Sequence, residues 1–143
     1  RLSRWWRQQF PGQAEPTIDN GSGLSREERS TARSLTRLLA QARRDPQADV
    51  FGNSLAVAGV DGTAVRMAER MPQSPLIGRA WLKTGSLRDV ASVAGYVQGE
   101  SGQLYTVVAI INHANANQAR PALDKLLDWT ARDKPQQHAL QRQ

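Results

Sequence analysis

Residues 79–112, RAWLKTGSLRDVASVAGYVQGESGQLYTVVAIIN, decide the fold of this chain. They contain three apolar runs, RAWLKT, VASVAGYV and LYTVVAII, and only a few residues separate each run from the next. Such runs, the last of them rich in β-branched residues, are typical of β-strands, and connections this short join antiparallel neighbours. The stretch therefore predicts a three-stranded antiparallel meander.

Helical patterns precede the predicted meander. The first is expected to end at Pro11-Gly12, with its apolar residues packed in a core: Leu2, Trp5, Trp6 and Phe10. The second is predicted to begin with a capping box formed by Ser25 and Glu28 and to continue as an apolar stripe up to Asp45-Pro46. Both patterns place helices ahead of the sheet.

The remaining segments complete an α+β order. The run Leu55 to Val60 is expected to be buried and irregular, and Thr63 is expected to cap a short helix after the Asp61-Gly62 turn. An amphipathic helix is predicted from Ala119 to Thr130, with Pro121 in its first turn, before a tail, RDKPQQHALQRQ, that is expected to be mobile. Helices, a meander and a closing helix together indicate an α+β fold.

Composition bounds the class of protein. The chain has 143 residues, 39% of them hydrophobic, which favours one compact domain or part of one. It has no cysteine, so neither a disulfide framework nor a thiolate nucleophile is available. No stretch approaches the roughly 18 consecutive apolar residues of a membrane span. We expect a soluble chain that begins inside a longer protein.

The charge balance is basic, with a formal net charge of +6. This favours anionic partners, but the arginines are dispersed, and a solvated helix face explains several of them better than a nucleic-acid patch: Arg26, Arg29, Arg33 and Arg37. No DNA- or RNA-binding motif accompanies them. A nucleic-acid-binding domain therefore remains only a weaker alternative, and the interpretation is that the chain binds no nucleic acid.

The triplet Lys83-Thr84-Gly85 ends the first predicted strand, and Ser86 follows it. In penicillin-interacting serine enzymes such a triplet lies beside the nucleophile. A fixed ammonium assists proton movement and attracts a carboxylate, a hydroxyl hydrogen-bonds that carboxylate, and a residue without Cβ allows close approach of the substrate backbone. An acyl-peptide substrate would then add to the sheet as an extra strand. The competing interpretation is a surface strand that ends in a polar turn.

Other catalytic patterns are weak. The loop around Ser22 does not match Gly-x-Ser-x-Gly, because Asn20 and Leu24 stand where glycines are needed, so Ser22 is interpreted as a turn residue. His113 ends a predicted strand and His138 lies in the polar tail, without a paired carboxylate pattern. Two histidines without cysteine also make a zinc site unexpected. We predict neither a metal site nor a cofactor.

Several separated stretches together resemble one family. IDNGSGLS followed by a helix, then LAVAGVDGT, GRAWLKTGSL, SVAGYV and YTVVAIIN with a closing helix are similar to the C-terminal half of DacB-type D-alanyl-D-alanine carboxypeptidases/endopeptidases, the low-molecular-mass class C penicillin-binding proteins. The resemblance covers nearly the whole chain in the right order. It makes Lys83, Thr84 and Gly85 the family's third active-site motif and Ser86 the residue that usually follows it.

Two family motifs are missing from this chain. The family's nucleophile is a serine in Ser-x-x-Lys, but the residues three places before Lys83, Lys125 and Lys134 are all alanine. The second motif, Ser-x-Asn, is also absent, because no asparagine has a serine two places before it. In the family both motifs lie upstream of the Gly-Ser-Gly-Leu loop. The resemblance therefore implies that residues 1–143 are the C-terminal segment of a penicillin-binding transpeptidase domain.

The resemblance also implies fold, activity and partners. The fold would be an α+β fragment of the penicillin-binding-protein/β-lactamase-like transpeptidase fold, with an exposed sheet edge and uncovered apolar surface. The parent protein would be a periplasmic serine D-Ala-D-Ala carboxypeptidase/endopeptidase that acts on peptidoglycan stem peptides through an acyl-enzyme and is acylated by β-lactams. Lys83 would handle charge and protons, Thr84 would bind the carboxylate, and Gly85 would allow close approach.

The fragment alone is then expected to be inactive, and to self-associate or to associate with its missing half. A non-catalytic module that binds wall peptide or a partner protein through its strand edge is the alternative that remains open.

Overall fold

The computed structural model describes residues 1–134 and has the α+β architecture that the sequence predicts. A four-stranded sheet lies between helices, with one short 3-10 helix packed on its second strand and another on its third and fourth. The elements, in chain order, are α1 (Leu2–Gln9), α2 (Ala32–Ala42), α3 (Ala48–Asn53), β1 (Ala56–Val57), a first 3-10 helix (Gly62–Ala64), α4 (Met67–Arg70), β2 (Ala80–Leu87), β3 (Val90–Gln98), β4 (Leu104–Asn112), a second 3-10 helix (Ala116–Ala119) and α5 (Arg120–Ala131).

The predicted meander is present as β2, β3 and β4, and all its pairings are antiparallel. Thr84 lies opposite Val93, which in turn lies opposite Ala109 on β4. The sheet also has a fourth strand, β1, within the run that was expected to be irregular. With two residues, β1 is too short to show the alternation by which strands are recognised.

The core lies between one face of the sheet and α5. The residues that build it are fully or almost fully buried: Ala80, Leu82, Val93, Val97, Leu123, Leu127 and Ala131. On the other face, α2 packs on β4 and β3, and the Tyr96 hydroxyl donates to the carbonyl of Leu39 at 2.7 Å. The two helices hold the sheet from opposite sides.

The first helix is present where the sequence predicts it, but its aromatic residues differ in burial. Trp6 is only 2% exposed and lies 4.7 Å from the ring of Phe10, so both belong to the interior. Trp5 is 40% exposed and Leu2 is 48% exposed. Core packing is therefore confirmed for Trp6 and Phe10, and wrong for Trp5 and Leu2, which remain largely exposed although Trp5 contacts both buried rings.

The predicted start of the second helix is wrong. The helix begins at Ala32, and its cap is Thr31, whose hydroxyl accepts from the backbone N–H of Ser34 at 3.0 Å. Glu28 instead accepts from the backbone N–H of Gly21, and Arg29 pairs with Thr17 in an isolated antiparallel bridge. Residues 25–30 are therefore not helical, and of the four arginines assigned to this helix only Arg33 and Arg37 lie on it.

Thr63 does not cap a helix either. It lies inside the first 3-10 helix, where Asp61 holds the cap position but its side chain makes no capping hydrogen bond to the helix. Helix α3 was not predicted from the sequence. The closing helix is confirmed, one residue displaced at each end, with Pro121 in its first turn. The polar tail from residue 135 onward, including His138, lies outside the described residues.

The expected sheet edge and apolar surface are both present. In the part of the chain that the structure describes, β4 pairs only with β3, so its outer edge has no neighbour strand. Near that edge Trp129 is 75% exposed, and it lines an open groove of about 630 Å³ together with Leu126, Tyr105 and Val107. No helix within residues 1–134 is both long and apolar enough to cross a bilayer.

An ion pair connects α4 with α5 beneath the sheet. Arg70 donates two hydrogen bonds to Asp124, from Nε to Oδ2 at 2.7 Å and from a terminal nitrogen to Oδ1 at 3.0 Å. Asp124 is only 6% exposed, and its hydrogen bond raises the pKa of Arg70 above the ordinary value. Because α4 follows the first 3-10 helix and α5 follows the second, this pair connects the two segments that contain the 3-10 helices.

We predict that Gly95→Ala destabilises the protein by about 2–3 kcal/mol. A Cβ at this position would lie 2.0 Å from the carbonyl oxygen of Trp81 and 3.0 Å from Cα of Leu82, so β2 and β3 would have to separate. Gly52→Ala is the matched control, because Gly52 lies in α3 with nothing within 4 Å of the new methyl group. Urea unfolding followed by tryptophan fluorescence should show loss only for Gly95→Ala; equal midpoints would contradict the prediction.

Candidate active site

The Lys83–Ser86 segment lies on a free edge of the sheet. Strand β1 pairs only with Trp81 and Leu82, so within residues 1–134 the side of β2 opposite β3 has no neighbour strand from Lys83 onward. The carbonyl of Ala80 accepts from the N–H of Ala58 at 2.9 Å on this side of β2. Backbone groups alternate in direction along a strand, so those of Thr84 and Ser86 point toward the free edge.

The ammonium group of Lys83 also reaches this edge. Its Nζ donates to the carbonyl oxygen of Thr84 at 2.9 Å, and the side chain of Lys83 is exposed. The side chain therefore bends around the strand and places its positive charge where a ligand added to β2 would lie. From the sequence, Lys83 is expected to attract a substrate carboxylate, and in the structure its ammonium group lies at the free edge of β2.

The hydroxyl of Thr84 has a partner that sequence reasoning missed. Thr84 Oγ1 donates to Thr63 Oγ1 at 2.9 Å, across 21 positions in the chain. Thr63 belongs to the AGVDGT stretch, which resembles a segment of the family and in which the sequence indicates only a helix start at Thr63. The structure brings that stretch into direct contact with the Lys-Thr-Gly triplet.

Ser86 has a second missed partner, Asn117 of the second 3-10 helix. The Ser86 hydroxyl donates to Asn117 Oδ1 at 2.9 Å, and Asn117 Nδ2 donates to the carbonyl of Leu87 at 3.2 Å. The amide side chain therefore holds both the hydroxyl and the end of β2. No local pattern signals this contact, because the partners lie 31 positions apart.

Packing against β3 favours glycine at position 85. A Cβ on Gly85 would lie 2.4 Å from the hydroxyl oxygen of Ser92, its cross-strand neighbour on β3. From the sequence alone, this glycine is expected only to allow close approach of a substrate backbone. The structure shows that the sheet itself requires a small residue here unless the Ser92 side chain moves.

The loop around Ser22 is a turn, as predicted. The N–H of Ser22 donates to the side chain of Asn20 at 2.9 Å, and the Ser22 hydroxyl accepts from the N–H of Leu24 at 3.1 Å. Arg26, which follows, donates to the carbonyl of Arg88 at 2.8 Å. This contact connects the segment after the loop to the β2–β3 turn, and a cavity of about 330 Å³ lies between residues 25–30 and the sheet.

Comparison with known families decides the affiliation of the chain. The model of the D-Ala-D-Ala carboxypeptidase 3 (S13) family matches residues 13–133. The chain belongs to this family. The matched region includes the free edge of β2 and both 3-10 helices, so the resemblance drawn from the separated motifs is confirmed.

Two curated relatives are D-alanyl-D-alanine carboxypeptidases. One, from an Actinomadura species, is 36% identical over 107 residues, which are 71% of this chain and 19% of the relative. The other, DacB of Haemophilus influenzae, is 29% identical over 95 residues, which are 66% of this chain and 20% of the relative. The S13 chain described here thus spans about a fifth of the length of these relatives.

Solved structures confirm the transpeptidase-type fold. Penicillin binding protein 4 (DacB) of Haemophilus influenzae superposes with a TM-score of 0.73 at 21% identity, over 89% of this chain and 30% of that one. A predatory endopeptidase of Bdellovibrio bacteriovorus superposes with a TM-score of 0.71 at 16% identity, over 92% and 39% of the two chains. The Haemophilus protein has also been solved with a β-lactam, and a Bdellovibrio endopeptidase acylated by penicillin G and bound to an immunity protein.

A pair of variants tests whether the Ser92 side chain is the reason why position 85 requires glycine. We predict that Gly85→Ala lowers the free energy of unfolding by about 1–2 kcal/mol, because the new methyl group collides with the Ser92 hydroxyl. In the double variant Gly85→Ala/Ser92→Ala, most of that loss should be recovered, since the colliding oxygen is gone. Urea unfolding of both variants and of Ser92→Ala alone provides the cycle. If the two changes are simply additive, the steric explanation is wrong.

Proposed function

We propose that Lys83 to Ser86 form one wall of the substrate site of a serine D-Ala-D-Ala carboxypeptidase or endopeptidase. The observation that carries the proposal is the free edge of β2, which presents an ammonium group, two hydroxyls and two backbone N–H groups within four residues. Membership of the S13 family supports the reaction class. The nucleophilic serine would belong to a part of the protein outside this sequence.

A peptide can bind such an edge by adding a strand. Main-chain hydrogen bonds to Thr84 and Ser86 would orient the peptide, and neighbouring side chains would select its end group. The C-terminal carboxylate of a D-alanyl-D-alanine peptide would meet the Lys83 ammonium and the Thr84 hydroxyl. An N–H at the free edge, that of Ser86, is also suited to stabilise the oxyanion that forms when the peptide carbonyl is attacked.

The proposed chemistry proceeds in two steps. The serine hydroxyl attacks the carbonyl carbon between the two D-alanines, the C–N bond breaks, and the terminal D-alanine leaves after accepting a proton. Water then hydrolyses the acyl-enzyme ester and regenerates the serine. Lys83 would supply positive charge and assist proton movement near the nucleophile. β-Lactams, which acylate a structural relative, would react with the same serine, and the protein would act on peptidoglycan in the periplasm.

The isolated 143-residue chain should form no covalent adduct with penicillin and release no D-alanine, because it contains no Ser-x-x-Lys. Intact-mass spectrometry before and after incubation with a labelled penicillin checks the first statement, and an amino-acid oxidase assay checks the second. The mass should stay near 15.8 kDa. An adduct, or D-alanine release by a chain of verified mass, would show that this chain contains a nucleophile outside any Ser-x-x-Lys motif.

The same free edge also favours a second function, in which the chain binds wall peptide without cleaving it. Under either function the chain should bind an acetylated peptide ending in D-alanyl-D-alanine, and Thr84→Val should weaken binding by about tenfold, the loss of one hydrogen bond to a charged group. Thr106→Val, on β4, is the matched control and should bind as the original chain does. Equal affinity for all three proteins would refute the assignment of this edge. Under the second function, binding in the complete protein would persist without turnover.

A further inference from the structure

The AGVDGT stretch, residues 58–63, contacts the Lys-Thr-Gly strand but has no part in the function proposed above. We propose that Thr63 is a positioning residue: it holds the Thr84 hydroxyl oxygen in place by a hydrogen bond whose direction can reverse, so that the Thr84 proton can be donated to the substrate carboxylate. The inference rests on the proposed function, which assigns that carboxylate to Thr84. Thr63 would then belong to the substrate site, and the AGVDGT stretch would serve to place it beside Thr84.

The turn before Thr63 is built rigidly. Ala58 and Ala64, which bracket it, are both fully buried, and the N–H of Gly59 donates to the carbonyl of Ala64 at 2.9 Å. Gly59 and Gly62 have φ angles of +72° and +52°, a conformation that side chains other than glycine rarely adopt. A Cβ on Gly59 would lie 2.8 Å from Ile77 Cδ1, so the glycine is also required for packing.

Asp61 fixes this turn to the sheet. Its Oδ1 accepts from the N–H of Val57 at 2.7 Å, and Val57 pairs with Trp81 of β2. The carboxylate thus satisfies a backbone group of β1 that would otherwise face outward from the sheet. Through β1, the backbone that carries Thr63 is held at a defined distance from Thr84.

The contact between Thr63 and Thr84 joins two hydroxyls, and each hydroxyl can both donate and accept. A carboxylate can only accept, so Thr84 must turn its single proton toward it when a substrate binds. Thr63 can then reverse its role and donate to Thr84 Oγ1, which keeps that oxygen in place. The contact of Ser86 with Asn117 differs, because Asn117 Oδ1 cannot donate.

Thr63→Val tests the inference, because it removes the hydroxyl and keeps the branched shape. The probes are an acetylated peptide ending in D-alanyl-D-alanine and the same peptide with a C-terminal carboxamide, titrated by NMR into the 143-residue chain. Thr63→Val should weaken binding of the carboxylate peptide by about fivefold, the value of one hydrogen bond, and weaken the carboxamide peptide less, because its uncharged oxygen accepts a weaker hydrogen bond. Thr63→Ser, which keeps the hydroxyl, should bind both peptides as the original chain does.

The outcomes separate this inference from the function on which it rests. If the original chain binds the carboxylate peptide and Thr84→Val weakens it, but Thr63→Val does not, Thr63 has no positioning role. If Thr63→Val weakens both peptides equally, its role is structural and the inference is overturned. If the original chain binds neither peptide, or if Thr84→Val has no effect, the proposed function fails and the inference fails with it.

Discussion

The site depends on a sheet edge that is left open by the shortness of one strand. Because β1 begins only at Ala56, opposite Leu82, strand β2 has no neighbour on that side from Lys83 onward. Within the described part of the chain, the N–H groups that β2 presents there have no strand partner. An open edge is ordinarily a liability, since it can pair with any extended chain. Here the exposed residues are charged or hydroxyl-bearing, which favours a short polar peptide over a second apolar strand.

Two 3-10 helices contact β2 through their side chains, the first along the strand and the second, which packs on β3 and β4, at its end. The first carries Thr63 and the second carries Asn117, and each contributes one side chain that holds one hydroxyl of the strand. The segments that follow them, α4 and α5, are connected by the ion pair of Arg70 with Asp124. A single hydrogen bond to an exposed hydroxyl is weak, so it fixes the orientation of Thr84 or Ser86 only if the backbone that carries its partner is itself fixed.

The sequence predicted those parts of the fold whose signals are local. The meander and α5 follow from apolar periodicity. The prediction that the triplet ends the first strand was wrong, because Ser86 and Leu87 still pair with β3. The start of α2 was mispredicted because Glu28 fits a capping box locally, whereas its carboxylate binds the Gly21 N–H on the other side of a loop. The partners of Thr84 and Ser86 escaped prediction because they lie 21 and 31 positions away, where neither periodicity nor spacing relates them.

The central claim is that a peptide ending in D-alanyl-D-alanine binds as an added strand on the free edge of β2. Amide hydrogen exchange, followed residue by residue with and without such a peptide, tests it most directly. We predict that the N–H groups of Thr84 and Ser86 exchange rapidly in the free protein and become protected when peptide is present, while those of Lys83 and Gly85, which face β3, are slow in both states. Protection that appears instead along β4, with Thr84 and Ser86 unchanged, would contradict the claim.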